Sequence, residues 1–179
     1  LTRLGIPKER IYLFVQDARD CAEYSIYEKM TNIILAAADS VTKARNNILR
    51  YFSGAVNILM LDDDVQTISK LQGKNLVNIE TREEFATMFN KCFGFTAKKG
   101  AYVFGIYPVH NAFFMSATIS TKVTVNTVLG FAKGNTLLFD ESYKAKEDIE
   151  LCARVISNGG NIYRYNFLAV NAKHRTNAG

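Results

Sequence analysis

The sequence predicts a single α/β domain in which a mixed central sheet is flanked by helices. The chain has 179 residues, enough for one domain with a sizeable core. Short apolar runs alternate along it with segments of helical periodicity, the pattern of strands connected by helices. The apolar run at 56–61 leads directly into Asp62, Asp63 and Asp64. Such a run is typical of a strand covered on both faces, and open α/β sheets bind ligands at the carboxyl ends of these strands.

The first half of the chain is predicted to alternate strands and helices. Residues 11–15 are apolar and follow a Gly-Ile-Pro turn, which predicts a buried strand, and residues 32–37 predict a second one. A helix is expected between them, over 22–30. Apolar residues at helical spacing over 41–52 predict an amphipathic helix, and this helix leads into the strand at 56–61.

The second half is predicted to be richer in β-structure. Thr81 and Glu84 form a capping box, so a helix is expected from there to about Phe93. The apolar and turn residues beyond it predict the following elements: strands at 101–107, 112–119, 123–132 and 161–170, and a helix at 147–157 with Ile149, Cys152, Ala153 and Ile156 facing inward.

Composition restricts the class of protein. Hydrophobic residues make up 48% of the chain and charged residues 22%, which is ordinary for a globular protein. No apolar stretch approaches the roughly 18 residues of a membrane span. Three widely spaced cysteines fit reduced thiols better than a disulfide framework. We therefore expect a soluble, intracellular protein with no membrane partner; its oligomeric state is left open.

Positive charge is concentrated in the second half. Residues 1–90 carry 11 Lys and Arg against 12 Asp and Glu, whereas residues 91–179 carry 11 against 5. Lys98, Lys99 and Arg175 belong to this excess and are candidates for contacts with a polyanion such as nucleic acid. The alternative is a scattered, solvated basic surface.

The three adjacent aspartates are the first candidate site. Neighbouring carboxylates repel one another, and a divalent cation that also holds a diphosphate would remove that repulsion, because Mg²⁺ and Mn²⁺ prefer one or two carboxylates plus phosphate oxygens. The alternative is an acidic turn that caps the next element.

Three further groups are candidates for chemistry. Arg45 and Asn46 lie near a helix N-terminus, where anions are favoured, although a plain solvated helix face explains them too. Glu147 and Asp148 open a helix, so one of them is either a general base or simply a first-turn carboxylate stabilised by the helix dipole. His174 follows the last strand and is either a late metal ligand or a surface histidine.

Together these motifs resemble glycosyltransferases of the GT-A fold. The order is Lys-Ala-Arg-Asn on a helix, a hydrophobic strand into Asp-Asp-Asp, Glu-Asp on a late helix, and a trailing histidine. From Arg10 to the C-terminus the chain is most similar to the TET/JBP-associated glycosyltransferases, found in phages and in the kinetoplastids that make base J. The resemblance implies a GT-A-like, Rossmann-like domain over 1–179, with a nucleotide-sugar-binding half (1–93) and an acceptor and catalytic half (94–179).

The resemblance also implies an activity. It is the metal-dependent, inverting transfer of a sugar from a UDP-sugar, UDP-glucose first of all, to a hydroxymethylated pyrimidine in DNA, with Mn²⁺ or Mg²⁺ as the metal. The enzyme would act in a host cytoplasm if phage-encoded and in a nucleus if eukaryotic. The roles carried over from the family are metal and diphosphate binding by Asp62 and Asp64, late metal binding by His174, and catalysis by Asp148 as the base. From the residues themselves we add Arg45, Asn46 and Asp63 as nucleotide-sugar-binding residues beside Asp62, Glu147 as a second catalytic carboxylate, and Lys98, Lys99 and Arg175 as nucleic-acid-binding residues.

Two features depart from the family pattern. GT-A domains begin with a strand that cradles the nucleotide base, and here the chain is expected to lack that first strand. The glycine usual before the Arg-Asn pair is replaced by Ser40-Val41-Thr42. Two other interpretations stay open: a GT-A enzyme that acts on a polysaccharide, lipid or protein, and a non-catalytic glycosyltransferase-like binding module.

Overall fold

The computed structural model describes residues 1–122 and 127–172, which form helices packed on a curled mixed sheet. Among the described residues, no helix has the length and apolar composition needed to cross a membrane. The strands are β1 (Tyr12–Val15), β2 (Asn32–Leu35), β3 (Ile58–Leu61), β4 (Val65–Gln72), β5 (Asn75–Asn78), β6 (Val103–Tyr107), β7 (Ile119–Ser120), β8 (Val128–Phe131) and β9 (Ile162–Ala172). The α-helices are α1 (Ala18–Tyr24), α2 (Val41–Phe52), α3 (Arg82–Lys98) and α4 (Glu147–Ser157).

The described strands form two sheets. β1 and β2 pair in parallel as a small sheet of their own. The larger sheet has the order β3-β8-β6-β9-β4-β5, with β7 beside β9. In it β6 and β9 are parallel and the other pairs are antiparallel. The predicted α/β domain with a mixed sheet and flanking helices is confirmed.

The acidic turn forces the large sheet to curl. Three residues connect Leu61 at the end of β3 to Val65 at the start of β4, so the link spans at most about 14 Å. In the sheet order the two strands are four positions apart, which would be about 19 Å in a flat sheet. The sheet must therefore bend until β3 and β4 approach each other, and Asp62–Asp64 bridge the gap.

Helices cover both faces of this sheet. On one face, α3 contributes Phe89, Cys92 and Phe93 to a core shared with Phe104 of β6 and Leu168 of β9. On the other face, α2 and α4 pack on the sheet through Leu49, Leu151 and Cys152. The strand residues that they contact are Ile58, Met60, Val103, Leu129 and Ile162. The side of the sheet on which a residue lies therefore decides which helices it meets.

Two predicted elements are placed differently in the structure. The helix expected at 22–30 lies earlier in the chain: it runs from Ala18 to Tyr24 and is followed by a 3₁₀ turn, Ser25–Tyr27. The Asp17 side chain accepts a hydrogen bond from the amide of Asp20 (2.8 Å) and caps the start of the helix. The strand expected at 112–119 is wrong. The Asn111 side chain accepts from the amide of Phe113 (3.0 Å) and holds a 3₁₀ turn, Ala112–Phe114, so only Ile119–Ser120 pair with β9.

The sequence analysis missed the hairpin formed by β4 and β5. Gln72 lies opposite Asn75, and the two-residue loop between them begins with Gly73 at a φ of 63°. Glycine at the start of a two-residue loop is a hairpin signal. The expected strand at 123–132 appears as Val128–Phe131, and residues 123–126 lie outside the described part.

Gly130 sets how closely β6 and β8 pack. A Cβ at this position would lie 2.1 Å from the ring of Phe104, which is fully buried. Gly130→Ala should therefore lower the free energy of unfolding by about 1–3 kcal/mol, or more, through overpacking. Gly94→Ala is the matched control, because Gly94 lies in α3 with nothing within 4 Å of the added methyl, and it should stabilise by about 0.5–1 kcal/mol. Urea unfolding measures both; equal effects would contradict this packing.

Candidate active site

Strand alternation directs Asp62 toward α2 and α4. Ile58 and Met60 of β3 pack against those helices, whereas Leu59 and Leu61 pack on the α3 side. Because successive side chains of a strand point to opposite faces, Asp62 continues the Ile58–Met60 series. The backbone amide of Asp62 lies at the edge of the sheet and donates a hydrogen bond to the carbonyl of Thr127 (3.0 Å).

Arg45 of α2 connects the acidic turn to the start of α4. Its Nη2 donates to Oδ1 of Asp62 at 3.2 Å, and its Nη1 lies 2.8 Å from Oε1 of Glu147. The second contact is an ion pair by distance, but its N–H is not aligned as a hydrogen bond. The side chains of Arg45 and Glu147 are 12% and 7% exposed, so both charges are largely removed from water. The guanidinium also lies 5.8 Å from the ring centre of Phe139.

Asn46 holds the loop that precedes α4. It is buried, its amide oxygen accepts from the amide of Phe139 (2.8 Å), and its NH₂ donates to the carbonyl of Phe139 (3.0 Å) and to Oε1 of Glu141 (2.9 Å). Arg50 contacts the same Glu141 oxygen at 2.8 Å. Arg45 and Asn46 are therefore not on a plain solvated helix face. The predicted contact of Asn46 with a nucleotide sugar stays a prediction, since these atoms serve the loop here.

The start of α4 carries both predicted catalytic carboxylates on its buried side. Glu147 and Asp148 are buried, and Oδ1 of Asp148 accepts from the amide of Ile149 at 2.8 Å. Lys146, just before them, has a left-handed backbone (φ 61°), a costly conformation for a residue with a side chain.

Of the inward face predicted for α4, only Cys152 is confirmed. Ile149, Ala153 and Ile156 are exposed, and the buried residues are Glu147, Asp148, Leu151 and Cys152. Glu147 and Asp148 lie one helical turn before Leu151 and Cys152. The two carboxylates therefore share the face of α4 that packs on the sheet.

Asp62 of the acidic turn is in an environment that disfavours its negative charge. Burial raises the pKa of Asp62, Arg45 opposes that effect, and the charges of Asp64 and Asp63 add to it. The Asp62 side chain nevertheless keeps 42% of its accessible surface, so a ligand can reach it. Oδ1 of Asp64 is buried and has no hydrogen-bond partner among the described residues. An unpaired buried carboxylate oxygen is an unusual and costly feature that a cation would relieve.

The described residues supply only part of a metal site. No group of three or more His, Cys, Asp or Glu side chains within them is arranged to hold a metal ion. Asp62 and Asp64 are two carboxylates, which suits Mg²⁺ or Mn²⁺ when phosphate oxygens and water complete the shell. His174, the third predicted ligand, lies outside the described residues, and so does Arg175.

Two of the predicted basic residues, Lys98 and Lys99, are not near this site. Lys98 and Lys99 precede the amino end of β6, whereas the acidic turn follows the carboxyl end of β3. Both strands are antiparallel to β8 and so run in the same direction. Lys98 and Lys99 therefore lie at the opposite end of the sheet, and a direct part in the chemistry at Asp62 is not possible for them.

Arg45 should be essential for the stability of the fold as well as for the positions of Asp62 and Glu147. Arg45→Met leaves Glu147 buried without its partner and should lower the free energy of unfolding by about 3–5 kcal/mol. The double variant Arg45→Met/Glu147→Met should recover much of that loss, because no unpaired charge remains. Lys43→Met, which breaks the exposed pair with Asp39, is the control and should change little. Equal losses in the single and double variants, measured by urea unfolding, would count against a buried ion pair.

Comparison with known families agrees with this arrangement. A family model described as TET-Associated Glycosyltransferase matches residues 4–179, a span that includes Arg45, the acidic turn and the Glu147–Asp148 pair. No match was found among curated proteins or solved structures. The resemblance seen in the sequence motifs is thereby confirmed. The chain belongs to the TET-Associated Glycosyltransferase family and is a glycosyltransferase.

Proposed function

We propose that this chain transfers a hexose, with inversion, from a UDP-sugar to the hydroxyl of a hydroxymethylated pyrimidine in DNA. UDP-glucose is the first donor to test. The observation that carries the proposal is Arg45, which holds Asp62 of the acidic turn and Glu147 of α4 around one guanidinium. Arg45 thereby links the acidic turn, the candidate site for the metal and the donor diphosphate, to the segment that carries the candidate base Asp148. The chain in which this occurs belongs to a glycosyltransferase family.

The acidic turn is suited to a divalent cation. We propose that Asp62 and Asp64, with His174 as the family resemblance implies, hold Mn²⁺ or Mg²⁺ together with the donor diphosphate. Such an ion, when bound, neutralises the charge that develops on the departing diphosphate. Oδ1 of Asp64, which has no hydrogen-bond partner within residues 1–122 and 127–172, and the raised pKa of Asp62 support this assignment.

We propose different roles for the two carboxylates of α4. Glu147 is held in the ion pair with Arg45. We assign Asp148 as the general base, which takes the proton of the acceptor hydroxyl as that oxygen attacks the anomeric carbon and the bond to the diphosphate breaks. Glu147 positions Arg45, and through it Asp62.

Arg45 and Asp63 are proposed to contribute to the donor site. A guanidinium beside an acidic turn is placed to contact a phosphate that reaches the turn. Asn46 would act on the donor through Arg45 and the 139–141 loop, because its own polar atoms hold that loop.

DNA as the acceptor rests on the family description and on charge. The family is described as TET-associated, and the second half of the chain is basic. A DNA acceptor places the reaction inside a cell, in a host cytoplasm for a phage enzyme or a nucleus for a eukaryotic one. A polysaccharide, lipid or protein acceptor would use the same donor site.

The test is a transfer assay with Mn²⁺, a panel of UDP- and GDP-sugars, and DNA that contains 5-hydroxymethylcytosine or 5-hydroxymethyluracil. Nucleoside mass spectrometry should find a hexose on the modified base. Asp148→Asn should lower the transfer rate by about 10²–10⁴-fold and leave donor affinity unchanged. Glu150→Gln is the matched control on the same helix, since Glu150 pairs with Arg154 outside the site.

Three outcomes separate the possibilities. Unchanged turnover in the Asp148→Asn variant would refute the base assignment. Donor hydrolysis with no sugar on DNA would keep the glycosyltransferase and redirect the search to other acceptors. No donor binding under any of these conditions would point to a binding module.

A further inference from the structure

The loop after β6 presents two phenylalanines to solvent. Phe113 and Phe114 are 84% and 59% exposed, and their rings meet edge to face with centres 5.1 Å apart. Two adjacent, exposed aromatic side chains are unusual on a globular surface and mark an interaction site.

The loop is held in place from several directions. His110 Nε2 is 2.8 Å from Oγ of Ser69 in β4, and Asn111 caps the turn that carries the two rings. Met115 is buried, and the amide of Ser116 donates to the carbonyl of Asn166 in β9 (3.3 Å). The rings are thus displayed by an anchored turn, so their exposure is a built feature of the fold.

This loop begins at the same edge of the sheet as the acidic turn. Leu61 lies opposite Val128, and Gly105 lies opposite Leu129, so the ends of β3 and β6 are level. Only β8 separates them, which places the backbones of Asp62 and Tyr107 roughly 10 Å apart. The loop with the two rings starts directly after Tyr107.

One positive charge lies at the base of the loop. The guanidinium of Arg164 in β9 lies 5.2 Å from the ring centre of Tyr107. A guanidinium beside an aromatic ring suits a phosphate next to a stacked base, whereas an apolar partner gains nothing from it.

We propose that Phe113 and Phe114 are a stacking platform for bases of the acceptor strand, with Arg164 beside a backbone phosphate. This inference rests on the proposed DNA acceptor. A base inside a duplex must be extruded before its hydroxymethyl group can reach a catalytic base. Aromatic side chains stack on unpaired bases or fill the gap they leave, and every base offers a face for such a contact.

The chain has no tryptophan, which allows a specific optical test. Phe113→Trp introduces a single tryptophan whose fluorescence is quenched when a base stacks on it. A single-stranded oligonucleotide should quench it, and an abasic oligonucleotide of equal length, which keeps the phosphates, should not. The control is Tyr102→Trp, because Tyr102 is 43% exposed but precedes β6 at the opposite end of the sheet. That variant should show no quenching.

Affinity gives a second, independent measurement. Phe113→Ala/Phe114→Ala should weaken oligonucleotide binding, measured by anisotropy, by about 10-fold or more. It should weaken binding of the abasic oligonucleotide much less. The unfolding midpoint of the double variant checks that the fold is kept, as expected for two exposed side chains.

The outcomes distinguish this inference from the proposed function. If the unaltered chain binds DNA while the Phe113→Trp signal is unchanged and the double alanine variant binds equally well, the platform is refuted and the DNA acceptor stands. If the unaltered chain binds no DNA, the acceptor assignment fails and the platform fails with it. A tryptophan signal that changes with protein concentration alone would identify the rings as a contact between two copies and would overturn the proposal.

Discussion

The arrangement of this site depends on the double ion pair of Arg45. One guanidinium contacts Asp62, which follows β3, and Glu147, which opens α4, segments that are 85 positions apart in the chain. Because Arg45 and Glu147 are largely buried, neither can be left unpaired without a large loss of stability. The interaction thereby holds the acidic turn, and Asp148 beside Glu147, on one side of the sheet.

Arg45 also changes how the acidic turn should be understood. The sequence alone predicts that a divalent cation balances the charge of the three aspartates, but the guanidinium of Arg45 already supplies part of that balance. One positive charge nonetheless lies between Asp62 and Glu147, and Asp64 adds a third carboxylate with a buried, unpartnered oxygen. The local balance stays negative, so the arrangement still favours a cation.

Local signals predicted the elements on which the site is built, but not the contacts between them. Ser40 caps α2 and the periodicity of 41–52 is clear, so the bounds Val41–Phe52 agree with the prediction. The role of Asn46 was not predictable, because its partner Phe139 lies 93 residues away and nothing local indicates it. The inward face of α4 was assigned by apolar residues, whereas in the structure Glu147, paired with Arg45, and Asp148 take part of that face. The hairpin of β4 and β5 was missed because the apolar residues of β4, Val65, Ile68 and Leu71, recur at every third position and not at every second one, although Gly73 carried its signal.

The most direct test of the account is to locate the metal. Crystals grown with Mn²⁺ and UDP, measured at the manganese absorption edge, would show the ion by its anomalous signal. We expect one peak in direct coordination with carboxylate oxygens of Asp62 and Asp64, with the diphosphate beside it and Arg45 still paired to Glu147. A manganese peak away from the acidic turn, or a diphosphate bound there by Arg45 with no metal, would contradict the proposed site.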